Sequence, residues 1–309
     1  MCVIFNIFFF LHSVYVIIYF IFMKILIIGG SGFIGGNLVA CLLKKKHTVT
    51  VFDLITPSIQ SKKLLFVKGD ISNTGLLKKI IKRNQIVYHL AGISDIGEAA
   101  TIPIETVNIN ILATVKILEI CSKFKIKRFI FASTVYVHSS QGGFYRTSKK
   151  SAELYIQEYW EQNRLNSTIL RYGTIYGPSN NLKNNINKIT NYALKKNIVK
   201  YEGSNLAKRN IIHVTDVGKV SVKILQKKYE NKAVLITGKK NIKIKNIMKI
   251  VQKQLNIKKP LFFKNKKLIG HYISNPFTYK KPKEFKLTPN KEIKIRDGIS
   301  QVIKYLRNI

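Results

Sequence analysis

A tyrosine and a lysine four residues apart are the side chains in this sequence whose types and spacing most directly suggest chemistry. Tyr145 and Lys149 lie in the run "YRTSK" at the start of a helical segment, so they share one helix face. A tyrosine normally loses its proton near pH 10, and bringing that pKa down to neutrality takes roughly 4 kcal/mol. A cation about 4 Å away in a partly buried site supplies a similar energy. Lys149 could therefore make Tyr145 a base.

Thr134 is the third candidate, because it follows the apolar run "FIFAS" at the edge where a parallel sheet presents its ligand. Its hydroxyl can hold a substrate alcohol in line with Tyr145. The three residues suit removal of a proton from an alcohol while a hydride passes to an oxidised nicotinamide, whose charge would also lower the pKa of Tyr145. By itself, YxxxK on a lysine-rich chain is equally well explained by a core tyrosine and a surface lysine.

A glycine-rich turn, "GGSGFIG", follows an apolar run and places Gly29, Gly32 and Gly35 in the spacing GxxGxxG. Glycine allows a tight turn and a close approach of the backbone to a pyrophosphate, and the amides of the next helix favour an anion. A simple tight turn is the alternative. Asp53 ends the second apolar strand, where a carboxylate bonds ribose hydroxyls and repels a 2′-phosphate. The glycine turn and Asp53 together predict NAD rather than NADP. The alternative role for Asp53 is to cap a turn.

Strand-like and helix-like segments alternate along the first part of the chain. The predicted strands are 24–29, 48–53, 64–70, 86–92, 128–133 and 167–172. The predicted helices are 33–46, 74–84, 110–124 and 148–163. Strands that are apolar on both faces and alternate with helices predict a parallel sheet covered on both sides, which is a doubly wound α/β Rossmann fold.

Beyond residue 177 the sequence becomes rich in Asn and Lys and loses this regularity, which predicts a smaller C-terminal substrate-binding domain. The strand-like runs 210–214 and 233–238 are expected to return to the main sheet. The predicted division is therefore a Rossmann domain over 23–177 to which 209–238 returns, and a substrate-binding domain made of 178–208 and 239–309.

The chain of 309 residues carries 53 Lys and Arg against 15 Asp and Glu, a net charge of +38. The lysines are scattered, and no basic-aromatic platform or zinc-finger spacing accompanies them, so we interpret the charge as a solvated surface and expect no specific nucleic-acid partner. Three cysteines without a CxxC pair favour a reducing compartment, the cytoplasm, over a disulfide framework, and they predict no metal site.

Residues 1–22 are almost entirely apolar and long enough for a membrane helix. No Lys or Arg precedes Lys24, so the charged region of a signal peptide is missing. The first buried strand is predicted to begin at residue 24, without a linker. We therefore expect Met23 to be the functional start and the preceding tail to be non-structural, with a membrane anchor as the alternative.

With these motifs in order, the chain resembles the extended short-chain dehydrogenase/reductase family, in its NAD-dependent nucleotide-sugar epimerase/dehydratase branch, from Met23 to about Leu306. Besides the glycine turn and Asp53, the resemblance rests on "GDI" at Gly69–Ile71, "YHLAG" at Tyr88–Gly92, "NILAT" at Asn110–Thr114, "FAST" at Phe131–Thr134, "YRTSK" at Tyr145–Lys149, "LRYGTIYGP" at Leu170–Pro178 and "RNIIHVTDV" at Arg209–Val217.

The resemblance implies roles for individual residues. Tyr145 would be the base, Lys149 would also grip the nicotinamide ribose, and Thr134 would orient the sugar. Arg209 would bind the diphosphate of a nucleotide-sugar substrate. The residues implied for NAD are Gly29, Gly32, Phe33, Ile34, Gly35, Asp53, Asp70, Ile71, Leu90, Ala91, Gly92, Asn110, Tyr145, Lys149 and Tyr172.

The 4,6-dehydratases of the family carry Asp-Glu directly after the threonine, whereas Val135 and Tyr136 follow Thr134 here, so a dehydratase is not expected. The loop from Thr134 to Tyr145 is also roughly half the usual length. We expect an epimerase acting at C4 of a UDP-hexose through a transient keto-sugar, and a homodimer formed through helices 110–123 and 148–163. The alternatives are a nucleotide-sugar dehydrogenase/reductase with the same three residues, and a non-catalytic NAD- or RNA-binding derivative.

Overall fold

The computed structural model of the protein describes residues 22–179, 184–266, 268–277 and 285–309. Over these ranges, the largest sheet contains β1 (Lys24–Ile28), β2 (Thr48–Asp53), β3 (Leu64–Lys68), β4 (Ile86–His89), β5 (Arg128–Thr134), β6 (Ser167–Tyr172), β10 (Lys232–Ile236) and β13 (Phe285–Leu287). Their order is β3-β2-β1-β4-β5-β6-β10-β13, and all neighbours run parallel. The predicted doubly wound Rossmann sheet is confirmed.

The described helices are α1 (Phe33–Lys44), α2 (Thr74–Ile81), α3 (Ile96–Thr101), α4 (Pro103–Val107), α5 (Ala113–Lys123), α6 (Gly143–Glu161), α7 (Asn185–Lys196), α8 (Val214–Lys223), α9 (Ile244–Gln254) and α10 (Ile295–Arg307). A π-helical segment (Asn108–Leu112) precedes α5, and 3₁₀ turns occupy Val135–His138 and Lys227–Tyr229.

Helices cover both faces of the main sheet, because its strands are apolar on both faces. In β1, Ile25 and Ile27 pack in the same core cluster as residues of α1 and α8. Leu26 and Ile28, which alternate with them, pack with residues of α2, α5 and α6. All four side chains are fully buried, as a central strand between two helical layers requires.

Two smaller sheets use the remaining described strands. β7 (Thr174–Tyr176), β9 (Lys208–His213) and β11 (Asn241–Lys243) form one, and β8 (Lys200–Tyr201) pairs with β12 (Phe262–Phe263). The expectation that 210–214 joins the main sheet is wrong, since β9 pairs with β7 and β11. The run 233–238 does join it as β10, which occupies the edge of β6 and so leaves no place there for β9.

A third core cluster unites α7, α9 and α10 with β7, β8 and β9, and lies apart from the clusters on the two faces of the main sheet. It includes Ile189, Ile247 and Val302, all buried. This second core supports the idea of a C-terminal unit, and the predicted domain boundaries stay a prediction.

The prediction about the hydrophobic tail concerns residues 1–22, of which only Phe22 lies within the described residues. None of the helices over the described ranges has both the length and the apolar character to span a bilayer. Cys41 and Cys121 are free thiols, and the cytoplasmic location stays a prediction.

Candidate active site

The glycine turn after β1 is shaped by steric constraints. Gly29 has φ +86°, and a Cβ there would lie 2.5 Å from the backbone nitrogen of Ala91. A Cβ at Gly35 would lie 2.2 Å from the carbonyl oxygen of Gly29. At Gly32 the nearest atom to such a Cβ is 3.5 Å away. Gly32 is the N-cap of α1, and no side chain of the described residues caps that helix, so its first amides remain for an anion.

Asp53 ties the glycine turn to the loop after β2. Its carboxylate accepts the backbone N–H of Ser31 at 2.9 Å and that of Ile55 at 3.2 Å. The hydroxyl of Ser31 donates to the carbonyl oxygen of Ile55 at 2.5 Å. The cap predicted as the alternative role is therefore present. A carboxylate has about four lone-pair sites, so the same group can also accept bonds from a ribose.

A cleft of about 520 Å³ opens at the carboxyl ends of the parallel strands, and we call it the glycine-loop cleft. Hydrogen bonds from the hydroxyl and the amide of Ser72 lower the pKa of Asp70, while burial raises it by a smaller amount. Of the residues predicted to hold NAD, those that line this cleft are Gly29, Gly32, Phe33, Ile34, Gly35, Asp53, Asp70, Ile71, Leu90, Ala91 and Gly92.

Asn110 bonds the loop after β4, which lines the glycine-loop cleft. It lies in the π-helical segment before α5, and its amide group bonds both backbone groups of Ile93 at 2.9 Å. It also donates to the hydroxyl of Ser148 on α6 at 2.9 Å. Gly92 has φ +150°, and a Cβ there would lie 2.6 Å from Asn110 Oδ1. Asn110 therefore positions the loop after β4 that lines the cleft.

The structure does not bring Tyr172 to the glycine-loop cleft. Its hydroxyl lies 3.0 Å from that of Ser221 on α8, and its ring belongs to the core on that side of the sheet. Burial raises its pKa well above the usual value. Side chains alternate along a strand, and Arg171, its neighbour on β6, points to the opposite face, where it meets α6. The sequence does not show which face of the sheet each of these two neighbours occupies, because their contacts with distant helices decide it.

Thr134, Tyr145 and Lys149 come together beside the end of β5. Thr134 is the last residue of that strand, and the hydrogen bond between its hydroxyl and the phenol of Tyr145 lowers the pKa of Tyr145 in part. Lys149 lies one turn along α6, is 4% exposed, and places its Nζ 4.7 Å from the ring centroid of Phe131. The three predicted catalytic side chains therefore share one site.

The pKa of Tyr145 is shifted opposite to the sequence-based expectation. Burial raises the pKa of Tyr145 to about 12, and the bond from Thr134 offsets only part of that rise. Burial lowers the pKa of Lys149 to about 8, while the carboxylate of Glu153 raises it. The side chains alone therefore do not make Tyr145 a base at neutral pH, and a further positive charge beside the phenol is required.

A buried ion pair that the sequence did not single out fixes α6 against the sheet. Glu153 accepts a bond from Ser133 Oγ at 2.5 Å and from Arg171 Nη2 at 2.5 Å. Ser133 and Arg171 are paired neighbours on β5 and β6. Glu153 is four residues after Lys149, so helical spacing was the available signal. Glu153 thereby links α6 to both β5 and β6. This link fixes the position of Lys149, one turn earlier on the same helix, relative to the ends of these strands.

Arg209 lies in a second cavity, of about 540 Å³, which we call the Arg209 cavity. Its guanidinium donates from Nη1 to the carbonyl oxygens of Lys208 and Ile273, both at 2.8 Å. Its guanidinium carbon lies 4.2 Å from the ring centroid of Tyr272. The described lining contains Arg209 and Lys266 and no carboxylate. This cavity therefore favours an anionic ligand, and the role of Arg209 toward a diphosphate stays a prediction.

The fold and site define a class of protein. A doubly wound parallel sheet, a glycine-loop cleft at its carboxyl edge, and an adjacent threonine, tyrosine and lysine are the features of an extended short-chain dehydrogenase/reductase. Residues 25–237 match the model of the NAD dependent epimerase/dehydratase family, and the chain belongs to that family.

Curated relatives include epimerases and dehydratases. A putative UDP-glucose 4-epimerase of Methanocaldococcus jannaschii is 26% identical over 92% of this chain and 98% of its own length. A dTDP-D-glucose 4,6-dehydratase of Dictyostelium discoideum is 29% identical over 63% of this chain and 53% of its own. A solved UDP-glucuronic acid 4-epimerase variant of Bacillus cereus, in complex with UDP-4-deoxy-4-fluoro-glucuronic acid and NAD, is 25% identical, with a TM-score of 0.78 over 93% of this chain and 99% of the other.

The residues of this chain fit NAD, the cofactor of the family. The space at Gly32 and the uncapped start of α1 suit a pyrophosphate. The carboxylate of Asp53 suits a ribose diol and disfavours a 2′-phosphate. When bound, NAD supplies a hydride acceptor and a positive charge.

Proposed function

We propose that this protein is an NAD-dependent epimerase that inverts C4 of a UDP-hexose through a transient keto-sugar. The observation that carries the proposal is the hydrogen-bonded Thr134–Tyr145 pair with buried Lys149 one turn further along α6. The full-length likeness to a putative UDP-glucose 4-epimerase supports the choice of reaction. The carboxylate-free lining of the Arg209 cavity, over its described residues, supports a diphosphate-linked substrate.

In this mechanism Tyr145 removes the proton of the C4 hydroxyl and later returns a proton to the same oxygen, after the keto-sugar has turned its opposite face toward the cofactor. In the interval the hydride of C4 would be held by bound NAD. Thr134 bonds the same hydroxyl and holds it in line with Tyr145. Lys149 would add a positive charge one helical turn from Tyr145, and Glu153 opposes the loss of that charge. The further positive charge that the phenol requires would come from bound NAD. Asn110 and Ser148 hold the loop after β4 against α6, so the base and the cofactor loop keep a fixed separation.

Tyr136 argues for an epimerase over a dehydratase. It stands where the 4,6-dehydratases carry their Glu, and burial raises its pKa well above the usual value. Its phenol replaces the carboxylate that performs the elimination in those enzymes, and no carboxylate follows Thr134 in this turn. A net dehydrogenase with the same residues is the alternative that the assay must separate.

The test is to incubate the protein with UDP-glucose and follow the products by NMR while recording absorbance at the NADH band. We expect UDP-galactose to appear without accumulation of NADH, because an epimerase regenerates its bound NAD. Stoichiometric NADH would identify a dehydrogenase instead, and a 4-keto-6-deoxy product would identify a dehydratase.

We also propose that the protein forms a homodimer through α4, the π-helical segment and α6. Six large apolar side chains on these elements are exposed, which is unusual for a solvated face: Ile104, Val107, Leu112, Phe144, Leu154 and Tyr155. Leu118 on α5 and Tyr159 on α6, which lie in the helices first predicted for the dimer, are buried in the core. Sedimentation should show a dimer for the native chain and a monomer for Leu154→Lys, whereas an unchanged sedimentation rate in the variant would reject this surface.

A further inference from the structure

The turn after Thr134 and a C-terminal segment, residues 268–277, meet at the edge of the Arg209 cavity. The hydroxyl of Tyr136 lies 3.2 Å from Nδ1 of His271, and the two rings meet edge to face with centroids 6.4 Å apart. The backbone of Tyr136 donates to the hydroxyl of Thr134 at 3.3 Å. His271 lines the cavity. The C-terminal segment thus forms part of the wall of the Arg209 cavity, beside the short loop that follows β5.

The two residues that follow His271 reach the other end of the cavity. The ring of Tyr272 stacks on the guanidinium of Arg209 at 4.2 Å. The carbonyl oxygen of Ile273 accepts bonds from Arg209 at 2.8 Å and from the amide of Lys208 at 2.9 Å. Three consecutive residues therefore span the distance between the turn after Thr134 and the predicted diphosphate site.

A sugar held by Arg209 must lie close to this span. In a nucleotide sugar the hexose is joined to the diphosphate through one oxygen, so the ring lies next to the phosphates and must extend from them toward the base. Tyr136 lies near this path, since it is two residues from Thr134 and its phenol is within electrostatic range of both Arg209 and Tyr145. His271 is likewise within electrostatic range of Arg209.

We propose that Tyr136 and His271 bind the sugar of the substrate as one hydrogen-bonded pair and orient it toward Tyr145. The proposal rests on the proposed function, since it takes a nucleotide sugar as the ligand. While the phenol and Nδ1 of the imidazole bond each other, the pair still offers one donor and one acceptor in either tautomer, and the hydroxyls of a hexose can use both. Arg209 would hold the diphosphate, and the pair would hold the ring.

The protonation states of the pair agree with this role. Burial raises the pKa of Tyr136, and burial followed by the charge of Arg209 lowers the pKa of His271, while Asp95 raises it. Both groups are therefore uncharged at neutral pH. Bonds from uncharged groups to sugar hydroxyls are individually modest, worth about a fivefold to tenfold change in affinity.

The experiment measures binding of UDP and of UDP-glucose by calorimetry, in the full chain carrying Tyr145→Phe so that the sugar is not turned over. Tyr136→Phe and His271→Phe are added singly, because each keeps a ring in place and removes the hydrogen bond. We expect each to raise the Kd of UDP-glucose about fivefold to tenfold and to leave the Kd of UDP within about twofold. Tyr305→Phe, on α10, is the matched control and should change neither Kd.

Equal weakening of UDP and UDP-glucose would show that the pair only supports Arg209, and would overturn the proposal. Unchanged affinity for both ligands would overturn it as well. Failure of the proposed function is detected separately, in the chain with Tyr145 intact, by the absence of conversion of UDP-glucose to UDP-galactose. Normal conversion together with unchanged variants would reject the pair and leave the epimerase.

Discussion

The glycine-loop cleft and the Arg209 cavity are assembled from the chain in different ways. The cleft is lined by short motifs that each follow one parallel strand, such as 29–35 after β1 and 90–94 after β4. The Arg209 cavity is lined by three distant stretches, within 139–141, 201–209 and 265–275. A site built from strand ends can be predicted motif by motif, whereas a site built between distant segments depends on how those segments pack.

Tyr145 is the proposed base, so its loss should have the largest effect. We expect Tyr145→Phe to lower turnover of UDP-glucose by at least about 100-fold, because proton transfer by a positioned side chain contributes that much. NAD content of the purified variant, measured by absorbance after denaturation, should stay near that of the wild type. Turnover close to normal would show that Tyr145 is not the base.

Replacing Arg209 should weaken binding of the nucleotide diphosphate and leave binding of NAD unchanged. Replacement by Met should weaken UDP binding by about 2 kcal/mol, roughly thirtyfold, because it removes charge-assisted bonds to a phosphate. NAD binding should not change, since the described lining of the glycine-loop cleft does not include Arg209. Calorimetry with each ligand checks both statements. Parallel loss of NAD would show that the two regions are one cooperative site.

Two glycines of the same turn should respond differently. Gly35→Ala forces a methyl group to within 2.2 Å of a carbonyl oxygen, and we expect it to lower the free energy of unfolding by about 1–3 kcal/mol. Gly32→Ala meets no atom closer than 3.5 Å. It should leave stability within about 0.5 kcal/mol and raise the Kd of NAD about tenfold or more, because the methyl group obstructs the pyrophosphate.

Urea unfolding of the two glycine variants and fluorescence titration with NAD measure these quantities. If both variants lose stability to the same extent, both glycines serve packing. The prediction that Gly35 serves stability and Gly32 serves NAD binding is then wrong.

The buried charge of Lys149 should make the free energy of unfolding depend on pH. Its pKa is lowered from 10.5 to about 8, so the unfolded chain binds more protons between pH 8 and 10, and the free energy of unfolding rises with pH over that window. Above pH 10 the raised pKa of Tyr145 acts in the opposite direction. Relative to Lys149→Met, the wild-type chain should gain up to about 2 kcal/mol from pH 8 to pH 10.

Denaturant unfolding of both proteins across this pH range supplies the comparison, and the many other lysines cancel in the difference. Parallel curves would mean that Lys149 keeps an ordinary pKa and is better solvated than its 4% exposure indicates.

Most of the main sheet and of the glycine-loop cleft could be predicted because their signals are local. Apolar runs between helical segments predicted six strands of the sheet, and Asp53 at the end of one strand predicted a contact with the ribose of NAD. The errors come from contacts between distant segments. β9 pairs with β7 because β10 takes the edge of β6, and Tyr172 faces Ser221 instead of the cleft.

The sequence by itself determined the doubly wound fold, the glycine turn and the presence of Thr134, Tyr145 and Lys149, because strand periodicity, glycine sterics and helical spacing act over a few residues. Only the tertiary structure decided the raised pKa of Tyr145, the Glu153–Arg171 pair and the contact of Tyr136 with His271. Burial and ion pairing depend on groups far apart in the chain, so their sign and partners are set by packing.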